Sequence, residues 1–358
     1  RADMLGELLK LKSLSIAVGG THGKTTTSSM LGSILSDANL NPTLIIGGVV
    51  NKFKTNSLLG KGDIIVVEAD EFDKSILSLK PTISVINNID LEHLDCYSDI
   101  NELKDTFIKF ANSTSKEGVT ILNADDNYIS DIIKKIKGNK KLFGFSKDSD
   151  YQAKKPKYNK NKTLFNLFHK NKEIAKIKLN VPGKHNIMNA LAAITTAIEI
   201  GIEIKQIVKG LKNYKGVKRR FQISNVNSTN NIFVDDYAHH PIEVKATLSA
   251  IKKGWKKRLI AIFQPHLYSR TKAFYKDFAK ELYSSDIIIL TEVFAGREKP
   301  INNISSKLIY DELVMLGHKN TILVEDKKDI SNIVHDIAMD NDIILTMGAG
   351  DIFKQQIK

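Results

Sequence analysis

The stretch Leu14-Ser15-Ile16-Ala17-Val18-Gly19-Gly20-Thr21-His22-Gly23-Lys24-Thr25-Thr26 decides how this chain is read. Its first half is short, apolar and rich in branched residues, as a buried strand is. A helical pattern, Thr25–Ala38, follows. The glycine-rich turn between them can aim backbone N–H groups at an anion, and a helix N-terminus adds favourable partial charge. In such a loop Lys24 neutralises phosphate and the Thr25 hydroxyl ligates Mg2+. The strict phosphate-loop spacing is not met, because the position five before Gly23 is Val18 and the nearest glycine is Gly19. The order strand, loop, helix still makes Gly20, Thr21, His22, Gly23, Lys24, Thr25 and Thr26 an expected phosphate site.

Outward from this stretch, strand-like runs alternate with helical ones. Leu14–Val18, Ile64–Val67, Thr82–Ile86 and Val119–Leu122 are separated by Thr25–Ala38, Asp99–Ala111 and other stretches. That alternation predicts an α/β fold with a parallel sheet and covering helices. Thr163–His169 and Glu173–Asn180 read as a hairpin, and Pro182-Gly183 opens a helix over Asn186–Ile200. A second α/β unit begins after Lys218-Arg219-Arg220, with strands Ile232–Val234, Leu259–Phe263, Ile287–Leu290, Ile322–Val324 and Ile343–Thr346. The boundary is expected near Lys215–Val217, giving domains 1–216 and 217–358; 358 residues suit two domains.

Polar groups cluster where these strands end, the edge at which open α/β sheets bind ligands. Glu68, in Glu68-Ala69-Asp70-Glu71-Phe72-Asp73, is placed to hold a hard cation. In Asn88-Ile89-Asp90-Leu91-Glu92-His93-Leu94-Asp95, His93 is read as a ligand for a second Mg2+ or an orienting group. In the second unit, Val234–Pro241 and Gln264–Thr271 follow strands. Asp235 and Asp236 suit a ribose hydroxyl or a lysine, and the planar fork of Arg270 suits a carboxylate or phosphate. His239 and His240 lack the spacing of a helical zinc pair, so zinc is not expected.

Composition excludes other classes. The lone Cys96 rules out an internal disulfide and suits a reducing compartment, the cytoplasm. No apolar run approaches the roughly 18 residues that cross a bilayer. The net charge of +13 raises nucleic acid, but the lysines look scattered and lack aromatic interleaving. They read as solvated surface, an excess that also suits a polyanionic nucleotide sugar. Neither nucleic acid nor membrane is an expected partner.

Seven ordered motifs resemble the Mur ligase family: Gly20–Thr26, Glu68–Asp73, Asn88–Asp95, Pro182–Asn186 with Asn189-Ala190, Lys218–Phe221, Asp235–Pro241 and Gln264–Thr271. The resemblance covers essentially the whole chain and implies a P-loop-type central ATPase domain followed by a Rossmann-like C-terminal domain. It implies ATP-dependent addition of L-alanine to UDP-N-acetylmuramate through an acyl phosphate, with Mg2+, in peptidoglycan synthesis. A relative that recycles a murein tripeptide onto the same sugar shares most of these motifs. A fragment that binds ATP without catalysis is a third reading, since the family's N-terminal UDP-binding domain is expected to lie outside these residues. By similarity Lys24, Glu68, His93, His239 and Arg270 are catalytic, and Thr25, Glu68 and His93 hold metal. His185, Asn186 and Asn189 border adenine, Arg220 and Asp235 reach ATP phosphate or ribose, and Tyr237, His239, His266 and Arg270 face alanine and the reacting carboxyl group. Three positions depart from relatives. Leu267 stands where several alanine-adding members carry Arg, and Glu92 where many carry Asp. Phe107-Ile108-Lys109 stands where sister ligases carry a carbamylated lysine, so carbamylation is not expected.

Overall fold

The structure, a computed structural model, describes residues 2–90, 96–225 and 230–355. The chain folds as two compact units, the first ending at Lys218 and the second beginning at Arg219.

The first unit has strands β1 Leu14–Gly19, β2 Thr43–Val50, β3 Thr55–Leu58, β4 Ile64–Glu68, β5 Ile83–Ile86, β6 Val119–Asn123, β7 Asn139–Gly144, β8 Tyr151–Asn159, β9 Lys162–His169 and β10 Lys172–Leu179. Its helices are α1 Ala2–Lys10, α2 Lys24–Asp37, α3 Ile100–Asn112, α4 Asn127–Ile132, α5 Lys184–Glu199 and α6 Ile204–Lys212. All ten strands form one sheet in the order β10-β9-β8-β7-β6-β5-β1-β4-β2-β3. The run from β8 through β2 is parallel, whereas β9, β10 and β3 add antiparallel edges. The expected parallel sheet is therefore the middle of a mixed one. The chain reaches β8 as a parallel neighbour of β7 and then returns through two tight hairpins, which only antiparallel pairing permits.

Continuous apolar runs make the middle strands because both sheet faces are covered. Ile16 and Val18 point into one core with Val66, Val85 and Ile121, lined by α2, α5 and α6. Ala17 points into the other with Ile65, Val67, Ile86 and Leu122, under α1, α3 and α4. Helix α5 is buried along most of its length, and Ala190, Ala192, Ala193 and Ala197 keep its surface thin enough to lie against the sheet and α2. The helix starts are set locally. Asp99 accepts from the N–H groups of Asn101 and Glu102 to cap α3, and Asp126 accepts from Ile129 to cap α4.

The second unit comprises β11 Gln222–Asn225, β12 Ile232–Asp236, α7 Pro241–Gly254, β13 Leu259–Phe263, α8 Tyr268–Leu282, β14 Ile287–Thr291, α9 Lys307–Met315, β15 Thr321–Val324, α10 Ile330–Ile337 and β16 Ile343–Met347. Its sheet runs β11-β12-β16-β13-β14-β15, parallel except for β11. Leu259, Ala261 and Phe263 face one core, and Ile260 and Ile262 the other. Strand β16 lies between β12 and β13, so the ends of these three strands open side by side.

Candidate functional site

In the first unit β1 lies between β4 and β5, with Val18 level with Glu68 and Gly19 level with Ile86. This register brings the loop 20–23, the end of β4 and the segment after β5 to one edge. The segment after β5 holds the loop: the N–H of Thr21 donates to the Asn88 carbonyl at 3.2 Å and that of His22 to Asn88 Oδ1 at 2.7 Å. Thr21 Oγ1 donates to the Asp90 carbonyl at 3.2 Å, and His22 Nε2 lies 3.4 Å from Asp90 Oδ2. Gly23 caps α2 at φ 81°, in the left-handed region, and a Cβ there would meet Asn189 Oδ1 at 2.3 Å. Only glycine satisfies both constraints. No side chain caps this helix, and its first backbone bond runs from Thr27 N–H to the Gly23 carbonyl. The N–H groups of Lys24, Thr25 and Thr26 thus have no partner within the helix, as an anion site requires.

The chemistry-bearing side chains converge on this turn. Thr25 Oγ1 donates to Glu68 Oε2 at 3.0 Å, and the Gly47 N–H fixes Oε1 of the same carboxylate at 2.6 Å. A hydroxyl beside an oriented carboxylate offers oxygen donors only, the set a hard cation takes. Lys24 Nζ lies 2.6 Å from Oε2 of Glu71, which is 1% exposed, and 3.7 Å from Asp70 Oδ1. Tyr97 Oη donates to the Glu71 carbonyl, and burial pushes its phenol up to about 12. Asn186 and Asn189 are buried: Asn189 Nδ2 donates to Asn186 Oδ1 at 3.2 Å, and Asn186 Nδ2 to the Pro182 carbonyl at 2.7 Å. Thr27 Oγ1 donates to Asn189 Oδ1 at 3.4 Å, tying the start of α5 to the loop, with half-buried His185 one residue before Asn186. His93 lies outside the described residues.

In the second unit, the ends of β12, β16 and β13 form another cluster. Gly348, at φ 146°, gives its N–H to the Asp236 carbonyl; a Cβ there would come within 2.7 Å of the Gln264 carbonyl oxygen. Arg219 reaches across these ends to the carbonyls of Gly348 at 2.6 Å and Gly350 at 3.1 Å, and to Asp235 Oδ2 at 3.3 Å. Asp235 also accepts from Thr346 Oγ1 at 2.9 Å. Burial pushes its carboxyl up, with the Arg219 charge opposing. Asp236 is buried, accepts from Thr247 Oγ1 at 2.7 Å and is pushed up to about 6 by desolvation, with the Arg220 charge opposing.

Around them, Arg220 pairs with Glu243 at 3.5 Å and stands 5.1 Å from the Tyr237 ring centre. His239 Nδ1 lies 2.9 Å from the Tyr237 carbonyl and 3.0 Å from Glu243 Oε2. Two acceptors there place a proton on Nδ1. The His266 ring meets that of His239 edge-on at 5.6 Å, and Arg270, 8% exposed, lies 3.1 Å from His266 Nδ1. Arginine only donates, so His266 carries its proton on Nε2. Leu267, between β13 and α8, holds φ 70°, an uncommon conformation for a branched residue that concentrates at functional sites.

The structure thus gathers Lys24, Thr25 and Glu68 with Gly20–Thr26, and separately Tyr237, His239, His266, Arg270 and Arg220. Three partners escape the sequence reading. Glu71 sits in the acidic run without an assigned role, Arg219 is passed over for Arg220, and Glu243 is missed although it lies four residues after His239 at the start of α7.

Comparisons with known proteins give the family. The profile of the Mur ligase middle domain matches residues 18–197, and that of the Mur ligase, glutamate ligase domain matches residues 219–350. A UDP-N-acetylmuramate--L-alanine ligase from Geotalea daltonii is 41% identical over 99% of this chain and 77% of its own length. One of the same name from Desulforapulum autotrophicum is 42% identical with the same coverage. The crystal structure of a UDP-N-acetylmuramate-alanine ligase from Thermotoga maritima superposes with TM-score 0.84 at 29% identity, covering 99% of this chain and 76% of that one. A murein peptide ligase from Psychrobacter arcticus superposes at 0.71 and 25% identity, with 99% and 78% coverage. With both profiles matched in order and about two-fifths of residues identical across nearly its full extent, the chain belongs to the Mur ligase family.

Proposed function

We infer that this chain carries the ATP-handling and amino-acid-handling units of a ligase that joins L-alanine to UDP-N-acetylmuramate in peptidoglycan precursor synthesis. The observation that carries this reading is the junction of β1, β4 and α2, where an uncapped helix N-terminus, Lys24, Thr25 and Glu68 meet at one sheet edge. Relatives with the alanine-adding name match 99% of the chain, which favours alanine over a murein tripeptide.

The chain's residues suit each step. A carboxylate resists an amine, so its oxygen first attacks the γ-phosphorus of ATP, breaking the bond to the ADP oxygen and giving an acyl phosphate. Such transfer needs positioning and charge neutralisation. Lys24 and the N–H groups at the start of α2 supply positive charge, and Thr25 and Glu68 would hold Mg2+. When bound, the cation neutralises charge developing on phosphate oxygens. The alanine amine then attacks the acyl carbon, expels phosphate and loses a proton. His239 Nε2, across the ring from the protonated Nδ1, is the acceptor we assign. Arg270 and His266 Nε2–H are donors for a carboxylate. The reading puts the enzyme in the cytoplasm, where ATP is available.

The test is mass-spectrometric detection of UDP-N-acetylmuramoyl-L-alanine from the protein with the family's UDP-binding domain joined to its N-terminus. Alanine and murein tripeptide are offered in parallel. Preferential use of the tripeptide would overturn the alanine assignment, and ATP-independent product would overturn the mechanism.

A further inference from the structure

Lysines that look scattered along the sequence are gathered by the antiparallel edge of the first unit. Residues 151–180 hold nine lysines and one glutamate, a net +8 of the chain's +13. Phe165, Leu167, Ile177 and Leu179 of β9 and β10 point into the core, so the alternate residues face outward. Strand register then sets the outer face in rows. Lys157 and Lys178 flank Leu164, and Lys154 and Lys176 flank Asn166. Lys162 continues the β9 column. With strands about 4.8 Å apart and alternate residues about 7 Å along, the four flanking lysines stand about one Debye length from one another at physiological salt. Lys154 Nζ lies 4.5 Å from the Phe168 ring centre. None of Lys157, Lys162, Lys176 and Lys178 forms an ion pair among the described residues.

Two further observations bear on why lysine stands here. Lysines on an edge strand block strand addition, which accounts for Lys172, Lys176 and Lys178 on β10. It does not account for Lys162, because β9 lies between β8 and β10. In addition, Lys155, Lys160 and Lys170 occupy the bulge and the hairpin turns at φ 53°, 49° and 47°. Glycine or asparagine adopts that conformation with less strain. Lysine stands at these positions at a conformational cost.

We propose that this three-stranded face docks the protein peripherally on an anionic lipid bilayer. The match is one of charge and shape: a lysine face with exposed Leu164 at its centre meets a plane of acidic headgroups. A single-stranded nucleic acid would need open aromatic platforms, whereas Phe168 is covered by Lys154. No described helix is long and apolar enough to cross a membrane, so attachment is to the surface.

The test is cosedimentation of the full chain with vesicles of about three parts phosphatidylcholine to one part phosphatidylglycerol, against phosphatidylcholine alone. Binding is expected only to the acidic vesicles and should weaken steeply with salt. Juxtamembrane lysines contribute about fivefold each, so the quadruple variant Lys154→Gln, Lys157→Gln, Lys176→Gln, Lys178→Gln should lose roughly 600-fold in partitioning. A control with the same loss of charge at Lys205, Lys212, Lys252 and Lys256 should keep most of it, and circular dichroism checks that both variants fold. Absence of binding to acidic vesicles at low salt overturns the proposal, as does equal loss in the two variants. Displacement from vesicles by a single-stranded oligonucleotide bound more tightly at the same salt would assign the face to nucleic acid instead.

Discussion

Replacing Glu68 by Gln separates the metal-holding role of this residue from its structural one. The carboxylate accepts from the Gly47 N–H at Oε1 and from Thr25 Oγ1 at Oε2. An amide can keep both bonds, its oxygen accepting from the Gly47 N–H and its NH2 donating to Thr25 Oγ1, a hydroxyl that accepts as well as donates. Exchanging charge-assisted bonds for neutral ones costs only about 1 kcal/mol of stability. In a unit of this size the melting temperature should fall by roughly 2–4 °C for each kcal/mol. The same change removes a full negative charge facing the proposed cation, a loss on the order of 10²–10³ in rate, about 3–4 kcal/mol at the transferring phosphoryl group. The two effects differ in their response to Mg2+. Titrating Mg2+ while following a fluorescent ATP analogue on the folded variant should show a half-saturation raised well beyond tenfold. Circular dichroism at the same temperature should show a fully folded chain. Unchanged Mg2+ dependence in a folded variant would refute the reasoning and leave Glu68 as a brace between β2 and α2.

Lys24→Ala alone breaks the ion pair with the buried Glu71 carboxylate, a loss of about 3–5 kcal/mol for a broken buried pair. The double variant Lys24→Ala, Glu71→Gln should therefore be more stable than the single one in urea unfolding, yet equally defective in nucleotide binding. Asp236, pushed up to about 6 from 3.8, keeps its proton in the folded chain where the unfolded chain has released it. Stability should thus fall as pH rises from about 4 to about 6, by on the order of 3 kcal/mol, and Asp236→Asn should flatten that slope in denaturant unfolding. The chain by itself should bind Mg-ATP in calorimetry with a non-hydrolysable analogue, yet release phosphate near background with all three substrates. A ligase positions the small reacting carboxylate by gripping the remote nucleotide of the same substrate. Brisk release dependent on both alanine and the UDP-sugar would contradict that account.

Local sequence determined the parts of this protein that depend on neighbours in the chain. Apolar runs fixed β1, β4, β5 and β6, because a strand covered on both faces must be apolar throughout. The phosphate turn is legible because Gly20 and Gly23 are separated from the helix start by fixed offsets, and the hairpin because its inward residues alternate. Less was legible where local preference and final place disagree. Strand β2 carries Gly47-Gly48 and β7 opens with Asn139-Lys140-Lys141, neither of which reads as a strand until a neighbour supplies its hydrogen bonds. The roles of Glu71 and Glu243 were hidden for a similar reason. An acidic residue in a charged run looks solvated, and only packing decided that Glu71 is buried against Lys24. Tertiary structure also decided which Arg of Lys218-Arg219-Arg220 braces the strand ends, since Arg219 meets carbonyls 129 and 131 positions away. The same holds for the lysine face, where strand pairing brings together residues more than twenty positions apart. Sequence spacing sets what a residue can do with its near neighbours; charge and burial depend on distances through space, which the chain fixes only once it has folded.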